Sequence, residues 1–204
     1  MISQAEYFDS YADRWDSMEL DDIRIRLDSV VRMAGVKPGM DILDVGTGTG
    51  VIIPCLLKAM NGIGSIKAID ISQGMLRVAH SKGFPGCVEF QLADIEKFSC
   101  PDHSYDRVMC NAVFPHFSNK IKVLYRILQM LKPGGMVIIS HPTGREAVNK
   151  VHSEAGAVVT EDRVPDAGTM QSLLENAGYV GIEVVDEPEF YLAIGRTRDQ
   201  QQFL

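Results

Sequence analysis

The chain has little to offer a metal, a membrane or a phosphate backbone. Its four cysteines, Cys55, Cys87, Cys100 and Cys110, stand 32, 13 and 10 residues apart. No CxxC pair or zinc-type spacing occurs among them, which excludes a zinc ribbon or dithiol motif and suits reduced thiols in the cytoplasm. Basic side chains are outnumbered, 20 Lys and Arg against 27 Asp and Glu, for a net charge of −7. Such a field repels nucleic acid and anionic lipid, so neither is expected as a partner. The longest apolar run, 51–57, is interrupted by Pro54 and falls far short of the roughly 20 residues that span a bilayer. Residues 1–10 lack the basic and apolar regions of a secretory leader, so none is expected. A GxSxG elbow and a P-loop lysine are missing as well. What is present, 204 residues with 46% hydrophobic and 23% charged, matches one ordinary globular domain.

Short β-rich runs alternate with helical stretches. Strands are expected at 41–45, 65–71, 88–92, 105–112 and 136–140, and helices at 50–60, 73–81 and 119–131. Ser72 is placed to cap the second of these helices, and Lys132-Pro-Gly-Gly135 to terminate the third. Repeated strand–helix alternation implies right-handed crossovers and an α/β, Rossmann-like sheet with helices on both faces. Further helices are expected at 144–155 and 169–177. The runs 181–186 and 190–196 are joined by only Glu187-Pro-Glu189, a link too short for anything but an antiparallel hairpin. The expectation is therefore a seven-stranded, mostly parallel sheet with one antiparallel strand. Residues 1–33 read as helical and amphipathic.

Asp44-Val-Gly46-Thr47-Gly48-Thr-Gly50 follows the first strand directly. Glycines there let the backbone approach a ligand, and open α/β sheets bind at the carboxyl ends of their strands. A dinucleotide fingerprint would place Gly or Ala where Val51 stands, and an apolar residue in place of Asp44. Asp70 ends the second strand, where a carboxylate can accept from ribose hydroxyls. Asp94 ends the third, within reach of an exocyclic amine. Taken singly, each has an ordinary alternative as a tight turn or a helix cap. Together, three strand-end carboxylates without a phosphate-binding lysine suit a cationic nucleoside, and S-adenosylmethionine (SAM) is one.

The runs Asp41-Ile-Leu-Asp-Val-Gly-Thr-Gly-Thr-Gly50, Ala68-Ile-Asp-Ile-Ser72 with Met75-Leu76, Leu92-Ala-Asp-Ile95, Tyr105-Asp106 and Leu131-Lys-Pro-Gly-Gly135 resemble the ordered motifs of class I SAM-dependent methyltransferases. Their flavour is that of the ubiquinone/menaquinone-biosynthesis-like, type-11 group. The resemblance covers residues 33–140 and implies a cofactor site. By it, Gly46, Thr47, Gly48 and Gly50 wrap the methionine portion with Asp44, and Asp70 takes the ribose. Ile71 and Met75 would line the adenine pocket, Asp94 and Ile95 would read the adenine edge, and Asn111 would lie under the methionine end. Asp106, at the start of a strand, reads as structural.

Methyl transfer depends on positioning, and a base is needed only when the acceptor must lose a proton. His116 follows the fourth strand and is the candidate base; the alternative is a packed loop histidine. His141, ending the fifth strand, is an acceptor-side candidate. On a helix from 144, Arg145, Asn149 and His152 fall on one stripe, which either faces an acceptor or is simply solvated. Convergence of His116, His141 and His152 on a metal has no support from spacing, and no metal site is expected. Tyr7, Tyr11, Trp15 and Met18 share a helical face. Tyr11 and Trp15 are therefore candidates for a lid over the cofactor, and the alternative is an amphipathic helix packed on the sheet.

The resulting expectation is one methyltransferase domain: a helical lid (1–33), a cofactor-binding core (34–140), an acceptor-side insertion (141–168) and a closing helix and hairpin (169–204). The acceptor is expected to be a small molecule and the protein a cytoplasmic monomer or homodimer. Two rivals share the sheet, a non-catalytic SAM-binding module and a nicotinamide-dependent oxidoreductase. A nucleic-acid or protein methyltransferase conflicts with the acidity and with Asn111-Ala-Val-Phe114 standing where an Asn/Asp-Pro-Pro-aromatic signature would be.

Overall fold

The computed structural model describes residues 2–18, 22–155 and 157–199. Among these described residues seven strands form one sheet: β1 (Met40–Val45), β2 (Gly64–Asp70), β3 (Val88–Leu92), β4 (Tyr105–Asn111), β5 (Leu131–His141), β6 (Val180–Glu187) and β7 (Phe190–Arg196). Their order is β3-β2-β1-β4-β5-β7-β6. The strands β1 to β5 pair in parallel, and β7 runs against both β5 and β6, as the hairpin implied. The order reverses between β1 and β4, which makes the carboxyl ends of these two strands the switch point where open sheets take ligands.

The helices are α1 (Gln4–Tyr11), α2 (Ile23–Met33), α3 (Ile53–Ala59), α4 (Gln73–Ser81), α5 (Lys120–Met130), α6 (Arg145–Ala155) and α7 (Ala167–Ala177). Side-chain alternation along the strands divides the core into two layers. Val108 and Cys110 of β4, with Val137 and Ile139 of β5, pack beneath α5 and α7. Met109 and Ile138 point the other way, against α2 and α3. Capping follows local chemistry: Met75 N donates to Ser72 Oγ (3.0 Å) and Lys122 N to Asn119 Oδ1 (3.1 Å).

Three departures from the sequence reading have a clear physical cause. First, α3 starts at Ile53 rather than at 50, because Gly50 takes φ +82° and the chain is still turning there. Second, β5 begins at Leu131, not Met136. The Lys-Pro-Gly-Gly run does end α5, but Leu131 already pairs with Tyr105, and the surplus residues are absorbed in a register shift before Arg107 meets Met136. Third, the N-terminal region is not one helix. α1 passes into a 3₁₀ turn over Ala12–Met18, and α2 is a separate element. Expectations for residues 1, 19–21, 156 and 200–204 lie outside the described residues.

The amino end of the sheet is closed by charge. Asp106 Oδ2 accepts from Asp41 N (2.8 Å) and from Lys132 Nζ (2.8 Å), which also meets Asp41 Oδ2 at 2.8 Å. This is the structural role expected of Asp106. An open hollow of about 570 Å³ lies at the same end, lined by Tyr125, Leu128, Pro133 and Arg198 among others. The glycine loop is at the other end.

Candidate functional site

At the carboxyl ends of β1 and β2 the glycine loop folds back across the sheet. Gly46 N and Thr47 N both donate to Ile69 O, at 2.8 and 3.0 Å. Gly46 takes φ +66°, and a Cβ there would stand 2.3 Å from Val113 Cγ2. Only glycine lets the loop lie against the end of β4. That close approach follows from Ala112, a non-glycine residue at φ +56° whose N–H donates to Ser140 O at 2.7 Å. A left-handed alanine carries strain, and strain of this kind concentrates at functional sites.

Asp70 clamps the loop to the next helix. Its Oδ2 accepts from Gly48 N (2.7 Å) and its Oδ1 from Ser72 N (2.8 Å). Each oxygen keeps a lone pair for a further donor. Burial raises the carboxyl above its usual range despite these bonds. Asp44 is more extreme. It is 1% exposed, its Oδ2 and the neighbouring Thr47 Oγ1 have no partner at good hydrogen-bond geometry among the described residues, and burial pushes its carboxyl up to about 7 although the Thr47 hydroxyl pulls the other way. Buried polar atoms are almost always paired, so the Asp44 carboxylate asks for a donor besides the Thr47 hydroxyl, best a cationic one. The ammonium and sulfonium of SAM fit that requirement.

Asp94 is less free. Its Oδ1 accepts from Glu96 N (2.9 Å), and its Oδ2 lies 3.3 Å from Lys97 Nζ. Ile95 and Met75 are buried, and Ile71 is half-buried. Asn111 Oδ1 accepts from Ser140 Oγ at 2.9 Å. The cofactor-side residues therefore assemble along four neighbouring strand ends.

The N-terminal segment lies over this region, held by acids that the aromatic reading missed. Asp9 Oδ1 accepts from Ser72 Oγ (2.5 Å) and Gly74 N (2.7 Å), and Asp13 pairs with Arg77 (2.5 Å). Asp16 takes Thr49 Oγ1 of the glycine loop (2.5 Å) and Lys82 (2.7 Å). Their spacing of four and three residues was the available signal. The expected aromatic face is broken by the 3₁₀ turn, which leaves Met18 exposed at 52%. Tyr11 packs against Tyr7 at a 46° tilt and carries the Arg14 guanidinium 4.4 Å from its ring centre. Trp15 meets Phe8 edge-on at 6.0 Å.

On the far side of the β4 end, three histidines gather. His116 closes a short 3₁₀ turn, and its Nδ1 lies 2.6 Å from Asp162 Oδ2. The His152 ring is 5.0 Å from that of His116, and its Nδ1 is 2.8 Å from Asp162 O. His141 is 2% exposed, with no partner for Nε2 among the described residues. Burial holds its imidazole down to about 3, and the neighbouring histidines push the same way. Burial lowers His152 too, so both are neutral at neutral pH. The rest of the expected stripe turns elsewhere: Arg145 pairs with Asp186 on β6 (2.7 Å), and Asn149 spends its amide on Val164, accepting from N (2.8 Å) and donating to O (3.2 Å). Asp162, Gln4 and Phe8, which complete this cluster, were not anticipated. Among the described residues no three His, Cys, Asp or Glu side chains are placed to hold a metal ion, and no helix is long and apolar enough to cross a membrane.

Comparison with known proteins bears on the fold and the family. A family model described as a methyltransferase domain matches residues 42–135. The ubiquinone/menaquinone biosynthesis C-methyltransferase UbiE of Hydrogenovibrio crunogenus is 24% identical over 93% of this chain and 86% of its own. A SAM-dependent methyltransferase from Aquifex aeolicus superposes with a TM-score of 0.72 at 23% identity, covering 96% of this chain and 99% of that one. A methyltransferase from Haloferax volcanii, solved with the Trm112 activator, gives a TM-score of 0.78 at 19% identity over 97% and 100% of the two chains.

Proposed function

We propose that this chain, a class I SAM-dependent methyltransferase of the UbiE-like type, methylates a small-molecule acceptor that loses a proton in the reaction. The observation that carries the reading is the buried Asp44 carboxyl beside Asp70 at the switch point of the sheet, with an oxygen that finds no well-aligned donor among the described residues. SAM supplies an electrophilic methyl group on a sulfonium. Asp44 and the Gly46–Gly48 backbone hold the cationic methionine portion, with Thr47 Oγ1 and Asn111 at its margin. Gly50 turns the loop away into α3. Asp70 adds ribose hydroxyls to the two amides it already binds. Ile71 and Met75 form the apolar wall for adenine, and Asp94 with Ile95 reads its edge.

The N-terminal segment acts as the lid, with Tyr11 and Trp15 as its aromatic members, and the Asp16–Thr49 bond ties that lid to the cofactor loop. Residues 34–140 form the cofactor-binding core, and α7 with the β6–β7 hairpin completes the sheet. The insertion 141–168 forms the acceptor side: His141, Arg145, Asn149 and His152 frame it, the middle two by bracing it against β6 and Val164. His116 takes the acceptor's proton at Nε2. The acidic surface favours a small molecule over nucleic acid, and we place the protein in the cytoplasm as a monomer or homodimer.

The test is transfer of a radiolabelled methyl group from SAM to a panel of small phenolic and enolisable acceptors, alongside binding of S-adenosylhomocysteine (SAH). Transfer that is lost in His116→Ala while SAH affinity persists supports the reading. Absence of saturable binding of either nucleoside overturns it, and binding without transfer to any acceptor class points to a SAM-binding module.

A further inference from the structure

We infer that Asp162 is the positioning residue that makes His116 a proton acceptor, by taking the Nδ1 hydrogen and leaving the Nε2 lone pair open. The inference deepens the proposed role of His116 and rests on it. An ionised carboxylate has no hydrogen to give, so a contact of 2.6 Å between Asp162 Oδ2 and His116 Nδ1 makes the imidazole the donor. In a neutral ring the other nitrogen is then the acceptor. The same logic holds a serine-protease histidine in its working tautomer.

Asp162 is itself held from three sides. Its N–H donates to Val159 O (3.0 Å), its carbonyl sits 2.8 Å from His152 Nδ1, and its Oδ2 receives Gln4 Nε2 at 3.3 Å. Gln4 Nε2 also donates to His116 O at 3.2 Å. One side chain of α1 thus pins both members of the pair. The imidazole is flanked by the Phe8 ring at 5.1 Å and the His152 ring at 5.0 Å, both of which restrict its rotation. Lys120 Nζ donates to Pro115 O and Phe117 O, at 2.9 and 3.2 Å, and fixes the turn on either side of His116. Side-chain exposure of 9% for His116 and 17% for Asp162 keeps bulk water from competing for the bond. During transfer the acceptor's proton goes to Nε2, and the imidazolium so formed is stabilised by the Asp162 carboxylate.

The experiment uses the full chain with imidazole-¹⁵N histidines, saturated with SAH, and reads the tautomer of His116 from its two nitrogen resonances, assigned with His116→Asn. Wild type is expected to show a hydrogen on Nδ1 and a bare Nε2. Asp162→Asn and Asp162→Ala are expected to lose that signature, with the hydrogen moved to Nε2 or shared between the nitrogens, while SAH affinity stays within about twofold. Asp162→Glu is expected to restore it at least in part. A wild-type ring carrying its hydrogen on Nε2 overturns the inference without any variant, as does an unchanged tautomer in a variant that still binds SAH. Failure of wild type to bind SAH is a different result, and it removes the cofactor reading instead.

Discussion

Replacing Asp44 by Asn should make the protein more stable and its cofactor affinity worse, and both effects can be sized from the structure. Burial moves this carboxyl from 3.8 to about 7, so the folded state favours the protonated acid. The stabilisation it gives is fully present below pH 3.8 and is lost as pH rises through about 7. At about 1.4 kcal/mol per pH unit, the ionised form costs the native state up to about 4 kcal/mol above pH 7. About 3 kcal/mol of that develops between pH 5 and pH 8. Asn keeps the shape and removes the titration. Urea denaturation at both pH values should show the stability difference, Asn variant minus wild type, growing by about 3 kcal/mol. Taking the difference cancels His141, whose own titration runs the other way. Calorimetry with SAM at pH 8 should show a loss of about 2 kcal/mol, roughly 30-fold, as a charge-assisted contact disappears. A variant with no pH-dependent gain, or with unchanged SAM affinity, would refute the reasoning.

Other expectations follow from the same geometry. Wild-type SAM binding should tighten as pH rises through about 7 and release a proton near that pH, seen as heats that depend on buffer ionisation enthalpy; buffer-independent heats would contradict an Asp44 protonated in the free protein. Gly46→Ala should destabilise the fold by about 2 kcal/mol or more through strain and overlap with Val113, with part of the loss recovered in the double variant with Val113→Ala; additive effects would argue against that contact. Asp16→Ala removes the N-terminal segment's bond to Thr49 and its pair with Lys82 and should speed SAH release about fivefold in stopped flow, with stability changed by no more than about 1 kcal/mol because the side chain is partly exposed. His141→Asn should lessen acid sensitivity: the neutral buried imidazole contributes stability above pH 6.5 that is lost as pH falls toward about 3, and an identical acid transition in the variant would show another group at work.

The placement of the strand-end residues was legible because its determinants are local. A strand, a glycine turn and a helix cap occupy a few consecutive residues, so Asp44, Gly46 and Asp70 are where their spacing puts them, and Ser72 caps the helix it was expected to cap. The histidine cluster depends on long-range packing. Asp162 reaches His116 from 46 residues away, in a segment with no periodicity to mark it. Helical spacing correctly put Arg145, Asn149 and His152 on one stripe, but spacing says nothing about partners, and Asp186 and Val164 claimed two of them. The N-terminal stripe misled for a related reason. Tyr7, Tyr11, Trp15 and Met18 align only if the helix continues, and the chain tightens into a 3₁₀ turn at Ala12.

The central claim is that a cationic adenosyl donor is held at the ends of β1 and β2, against Asp44 and Asp70. Titration calorimetry of SAM into the full chain at pH 8, with Asp70→Ala in parallel, tests it most directly. The account predicts saturable one-to-one binding in wild type, weakened about 10- to 100-fold in the variant. No saturable heat in wild type, or equal affinity in a folded variant, would contradict it.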